Sequence, residues 1–166
     1  LNSVAESIKD YDLVVGAVPG FMGYNILKAV LESHKNIVDI SFMPEDSREL
    51  NDIAIENGVT AITDAGIAPG LSNLIFGKVL LEYDRVDSAQ CFVGGLPQNP
   101  RQHWLYKSVF SPIDVIEEYT RPARLVQNGQ IIIKPAMTEI EPIEFKKLGI
   151  LDAFNSDGLR SLLDLP

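Results

Sequence analysis

The chain has 166 residues, 46% of them apolar, enough to bury a core and too hydrophobic for a disordered segment. Lys and Arg total 14 against 23 Asp and Glu, a formal charge of −9 with no basic block, which excludes a surface built for nucleic acid or an anionic membrane. Cys91 is the single cysteine and the two histidines stand apart, so neither an internal disulfide nor a zinc-ligand spacing is available, and a reducing, cytoplasmic setting fits. No apolar run reaches membrane-spanning length, and no signal-peptide pattern is present.

The segment Asn2 to Lys9 reads as the end of a helix. Tyr11 to Val18 contains Leu13-Val14-Val15-Gly16-Ala17-Val18, apolar on both faces as in a central parallel strand, ended by Pro19-Gly20. Apolar residues at Met22, Ile26, Leu27, Val30 and Leu31 form one helical face, and Ile37 to Ile40 resumes a strand. Asp46 and Glu49 have capping-box spacing for a helix that ends at Asn57-Gly58, before a strand over Val59 to Thr63. Strand, helix, strand, helix, strand is the pattern of a parallel sheet with covering helices.

Leu71 to Leu81 reads as a helix leaving that sheet. Beyond it, strands are predicted at Ser88 to Val93, Arg121 to Val126 and Ile131 to Pro135, with Asn128-Gly129 as a hairpin turn between the last two. Ile113 to Tyr119 reads as a short helix, Phe145 to Phe154 as extended, and Asp157 to Leu163 as helical. The fold class is α/β: half of a doubly wound parallel sheet over residues 1–70, followed by an α+β unit over residues 71–166.

Functional chemistry is expected where strands end. The loops Ala17-Val18-Pro19-Gly20 and Ser41 to Pro44 fall at the carboxyl edge of the sheet, where such folds bind nucleotides, and read equally as ordinary strand-to-helix turns. No G-x-G-x-x-G or G-x-x-x-x-G-K-[ST] stretch occurs. Asp64 ends a strand inside Thr63-Asp64-Ala65-Gly66-Ile67-Ala68-Pro69-Gly70-Leu71-Ser72-Asn73. It can hold a substrate ammonium or take a proton from it, or serve as a turn acid. Gly94-Gly95-Leu96 allows close backbone approach to a ligand, or forms a bulge. Asn155 to Arg160 is a polar turn entering a helix, whose amides and Arg160 suit a carboxylate; the plainer reading is a capping turn with a surface arginine. His103 lies in a polar loop, and Arg121 and Arg124 lie on an exposed face.

Together, Asp12 to Tyr24, Val38 to Glu45, Asp64 to Asn73, Val93-Gly-Gly-Leu-Pro97, Ile116-Glu-Glu-Tyr-Thr-Arg-Pro-Ala123 and Ser156-Asp-Gly-Leu-Arg160 resemble the saccharopine dehydrogenase-like superfamily, and within it the lysine 6-dehydrogenase group. The resemblance covers nearly the whole chain. It implies hydride transfer between a nicotinamide cofactor, NAD or NADP, and the carbon–nitrogen bond of an amino acid, on a Rossmann domain followed by a catalytic domain that also dimerises. It implies cofactor contacts at Ala17, Val18, Pro19, Gly20, Asp39 and Ser41, a catalytic Asp64, and substrate contacts at Gly94, Gly95, Leu96, Asp157 and Arg160. The implied partners are a small amino-acid substrate and a second copy of the chain; from charge, spacing and run length, no metal, nucleic acid or membrane is expected. Family members begin with a glycine-rich phosphate turn, so the chain reads as the middle of a longer dehydrogenase. Saccharopine reductase and carboxynorspermidine dehydrogenase are alternatives in the same class, and a non-catalytic dimerising or ligand-binding fragment is the alternative outside it.

Overall fold

Three short strands, β1 (Leu13–Gly16), β2 (Asn36–Asp39) and β3 (Ala61–Ile62), lie parallel in the order β1-β2-β3 in the computed structural model, which describes residues 2–101, 103 and 105–164. Parallel neighbours need crossovers, and these are helix α2 (Gly20–Glu32) and a 3-10 turn (Ser47–Leu50) running into α3 (Asn51–Glu56). Helix α1 (Asn2–Ile8) precedes them.

The core of this unit is built from Leu27, Val30 and Leu31 on α2, Ile37 on β2, Met43 and Leu50, with Val4, Ile8, Val14, Ile53, Ala54 and Ala61 packed around it. The predicted face of α2 holds at Ile26, Leu27, Val30 and Leu31, whereas Met22 turns out to solvent. His34, in the left-handed conformation at φ 56°, ends α2. Asp46 caps the 3-10 turn by accepting from the Arg48 amide at 3.0 Å, while Glu49 receives the Tyr24 hydroxyl at 3.2 Å.

One sequence expectation is corrected here. Strand β1 is not buried on both faces: Val14 points into the core, but Leu13 and Val15 remain 54% and 69% exposed. The reason is topological. In a parallel pair, residues in register share a face, so Leu13 and Val15 stand with Asn36 and Val38 on the side opposite Ile37 and the core. The strand is also an edge strand among the described residues, and it ends at Gly16 rather than Val18.

The chain divides into two compact units, residues 1–71 and 72–166. The second contains α4 (Leu71–Glu82) over most of its length, α5 (Pro112–Thr120), the antiparallel hairpin β4 (Ala123–Gln127) and β5 (Gln130–Lys134), a second hairpin β6 (Glu141–Phe145) and β7 (Gly149–Ala153), and a 3-10 helix (Asp157–Asp164). Asn128 and Gly129, at φ 53° and 75°, make the tight turn read from the sequence. The stretch Phe145 to Phe154, expected to be simply extended, contains a hairpin turn at Lys146-Lys147-Leu148, closed by the Leu148 amide on the Phe145 carbonyl at 2.9 Å.

Ser88 to Val93 forms no strand. A strand needs a neighbouring backbone to satisfy its amides and carbonyls, and each described hairpin here pairs a segment with the one immediately after it. Phe92 is anchored by its ring instead, edge-on to Phe145 at 5.6 Å.

Candidate functional site

In the N-terminal unit the three strands deliver their carboxyl ends to one edge, and the sequence-predicted residues of that unit fall there. After β1, Ala17 is exposed, Val18 and Pro19 are half-buried, and buried Gly20 opens α2 with the Met22 amide bonded to the Pro19 carbonyl at 2.9 Å. After β2, the Asp39 carboxylate is wholly buried and accepts from the Ser41 amide at 2.8 Å and the Ser41 hydroxyl at 3.1 Å. Asp39 Oδ2 also fills the space that a side chain on Gly16 would need. Asp39 and Ser41 therefore bind each other and set the turn, and the edge is presented by Ala17 and the exposed Ile40 between them.

After β3 the chain enters the turn that carries Asp64. The Ala65 amide bonds to the Asp39 carbonyl at 3.0 Å, tying this turn to the end of β2. Asp64 itself is held at φ 52°, in the left-handed region, which non-glycine residues seldom occupy and which clusters at functional sites. The Leu71 amide closes the loop on the Gly66 carbonyl at 2.9 Å. Gly70 sits at φ 134°, and a side chain there would strike the Gly66 backbone, so only glycine fits.

In the C-terminal unit, Gly94 stands in open space and Leu96 is 40% exposed, whereas Gly95 is buried under Tyr106, with the Lys107 amide bonded to its carbonyl at 2.7 Å. The Asp157 carboxylate, 1% exposed, is gripped by Arg124 through Nε at 2.8 Å, Nη2 at 2.6 Å and the backbone amide at 3.2 Å. A planar guanidinium on a carboxylate in this two-pronged geometry is strong and directional. Arg121 Nη1 lies 3.9 Å from the same carboxylate, and its Nε bonds Glu117 at 3.0 Å.

These contacts correct the expectation that Arg121 and Arg124 line an exposed face: their side chains are 10% and 29% exposed. Arg160 is likewise not a surface arginine but 9% exposed. Asn73 of α4 donates to Ser161 at 3.1 Å, fixing the 3-10 helix that carries Arg160.

The arginines that hold Asp157 were outside the sequence-predicted set. Their spacing, one at the end of α5 and one in β4, gives no signal until the turn at Asp157 is brought against them. His103 lies in a left-handed turn at φ 71°. Among the described residues no cluster of His, Cys, Asp and Glu fits a metal ion, and no helix is long and apolar enough to cross a membrane.

A parallel sheet that gathers its loops at the carboxyl edge, followed by an α+β unit, defines the class of two-part α/β proteins built on a nucleotide-binding domain. Residues 2–62 match the saccharopine dehydrogenase NADP binding domain and residues 66–162 match the saccharopine dehydrogenase C-terminal domain. The chain belongs to the saccharopine dehydrogenase family, and its N-terminal unit is of the nicotinamide-nucleotide-binding type.

Its similarities extend to alpha-aminoadipic semialdehyde synthase of Mus musculus, 29% identical over 80% of this chain and 15% of that protein. Saccharopine dehydrogenase [NADP(+), L-glutamate-forming] of Saccharomyces cerevisiae is 26% identical over 78% of this chain and 30% of that protein. A solved apo structure of the L-Glu-forming saccharopine dehydrogenase from Saccharomyces cerevisiae superposes with a TM-score of 0.62 at 19% identity, covering 99% of this chain and 40% of that one, which establishes a shared fold. The chain thus spans well under half the length of these relatives.

Proposed function

We propose that this chain is part of an NAD(P)-dependent oxidoreductase acting on the carbon–nitrogen bond of an amino acid. The observation that carries the reading is Asp64, an acid held in a left-handed turn at the carboxyl edge of the nucleotide-binding sheet and tied by its neighbour's amide to the end of β2. The exposed residues Ala17 and Ile40 fit the nicotinamide-ribose end of a dinucleotide, with Val18, Pro19 and Gly20 completing that loop and buried Asp39 and Ser41 shaping its neighbour. A bound nicotinamide would supply the hydride acceptor for the carbon bearing nitrogen.

An ammonium has no lone pair with which to form the C=N bond, so the amine loses a proton first. Asp64 accepts that proton and orients the nitrogen. Gly94 and Leu96 are open for the substrate to lie against, and Gly95, whose carbonyl is bonded to the Lys107 amide, fixes the loop that carries them. Arg160 serves its carboxylate, and Asp157, already bound by Arg124, holds the turn that carries Arg160.

Two substrates fit this reading: L-lysine, from the sequence resemblance, and saccharopine, from the relatives' names. Self-association into a dimer is part of the proposal, supported by the apolar outer side of the β4–β5 hairpin at Val126, Ile131 and Ile133. The test uses the longest gene product that contains this chain and follows reduction of NAD and NADP with lysine, saccharopine and related amines. Asp64→Asn is expected to lower kcat/KM for the amine by about 100-fold or more. Full turnover in that variant removes the role given to Asp64, and no reduction with any amine removes the oxidoreductase reading.

A further inference from the structure

The carboxyl ends of all three parallel strands converge on Asp39. Its carboxylate, wholly buried, accepts the Ser41 amide at 2.8 Å and the Ser41 hydroxyl at 3.1 Å, and it occupies the place that a side chain on Gly16, its register partner in β1, would need. The main chain on this side of the sheet is tied as well. The Ile40 amide bonds to the Gly16 carbonyl at 2.9 Å, and the Asp39 carbonyl accepts the Ala65 amide at 3.0 Å. All of these residues lie in the N-terminal unit.

Ser41 passes the restraint on to α2. It is itself buried and packs so close to Gly23 that a Cβ there would stand 2.8 Å from the Ser41 Cβ and 3.2 Å from that of buried Met43. Asp39 therefore joins the three segments to which chemistry is given above: the loop from Ala17 into α2, the turn that presents Ile40, and the turn that carries Asp64. With no exposed surface of its own, its carboxylate is not offered to a ligand at that edge.

We propose that Asp39 is a positioning residue, which fixes the separation between the hydride-accepting end of a nicotinamide nucleotide and the proton acceptor Asp64, an assignment that rests on the oxidoreductase reading above. A carboxylate accepts at both oxygens, so one side chain holds the amide and the hydroxyl of Ser41 at once. Desolvating such a group is costly unless its hydrogen bonds are made, and here they are made to the turn itself. A hydride and a proton leave the substrate towards different partners, so a shift of about 1 Å between those partners costs turnover far more than it costs binding.

The test has two parts. In this chain, amide hydrogen exchange followed by NMR compares Ala65 with Ile37, whose amide bonds to the Thr60 carbonyl at 3.0 Å nearer the start of β2. Asp39→Ala lowers Ala65 protection about tenfold or more and leaves Ile37 within about threefold. A smaller fall at Ala65 in the folded variant overturns the proposal, and so does an equal fall at Ile37, which makes Asp39 a general stabiliser. If Asp39→Ala does not fold, the unaltered chain decides: the Ser41 and Ala65 amides open together, with protection within about fivefold and the same urea dependence, and any larger difference overturns the linkage. In the longest gene product that contains this chain, Asp39→Ala lowers kcat about tenfold or more and moves KM for nucleotide and amine by less than about threefold, while Asp39→Asn, which keeps an oxygen for the Ser41 amide, restores at least about a third of kcat. A loss confined to either KM overturns the positioning role. A kcat as low in Asp39→Asn as in Asp39→Ala overturns it too, because the charge and not the geometry is then what matters. Failure of the longest gene product to reduce either nucleotide removes the oxidoreductase reading instead, and hydrogen exchange still decides whether Asp39 links the two turns.

Discussion

Gly70 shows how one residue fixes the Asp64 turn. At φ 134° with the Gly66 backbone against its Cα, it has no room for a methyl group. Gly70→Ala is expected to destabilise the N-terminal unit by about 2 kcal/mol or more, read as a lowered melting temperature. Glu118, on α5, makes a second residue-scale prediction. Burial raises its folded-state pKa above the ordinary glutamate value, so the native state holds its proton more tightly than the unfolded state does. Stability from this group is present below the ordinary glutamate pKa and declines as pH climbs through the raised folded value. Glu118→Gln is therefore expected to flatten that decline in urea titrations run from mildly acidic to neutral pH, and an unchanged slope argues against a raised pKa.

At the scale of elements, α5, β4 and the 3-10 helix meet through one carboxylate. Removing Arg124 leaves Asp157 buried and without its principal partner, and Arg124→Ala is expected to cost about 3 kcal/mol of unfolding free energy in chemical denaturation. Adding Asp157→Asn should recover part of the loss, because the stranded charge goes with it. This linkage was not legible in the sequence. Arg121 and Arg124 follow Tyr119 in a stretch that reads as strand, and the partner lies 33 residues away from Arg124. The Asn128-Gly129 turn was legible, since two adjacent residues that tolerate positive φ suffice to specify it. The β6–β7 turn was not: Lys146-Lys147-Leu148 carries no such residue, and Gly149, at φ 81°, comes only after them.

For the whole molecule, the feature that composition conceals is how much apolar surface the described residues leave open. The outer side of the parallel sheet exposes Leu13 and Val15, and α4 exposes Leu74, Ile75 and Leu81. Val15→Thr is expected to change the stability of this chain by less than about 0.5 kcal/mol in thermal melts, since it removes no buried contact. A loss of 1 kcal/mol or more is the result that places Val15 in a packed environment.

The sequence by itself determined the alternation of strands and helices in the first unit, the hairpin at Asn128-Gly129 and the acid at the end of β3. These depend on periodicity and turn chemistry, which act over a few residues. It also supplied the family resemblance that the two domain matches bear out. Only the tertiary structure decided that Ser88 to Val93 is not a strand, that β1 has one bare face, that Arg160 is buried, and that Asp157 belongs to Arg124. Each of these depends on which distant segment arrives alongside, and a backbone hydrogen bond, a buried face or a buried charge is specified by its partner as much as by its own residue.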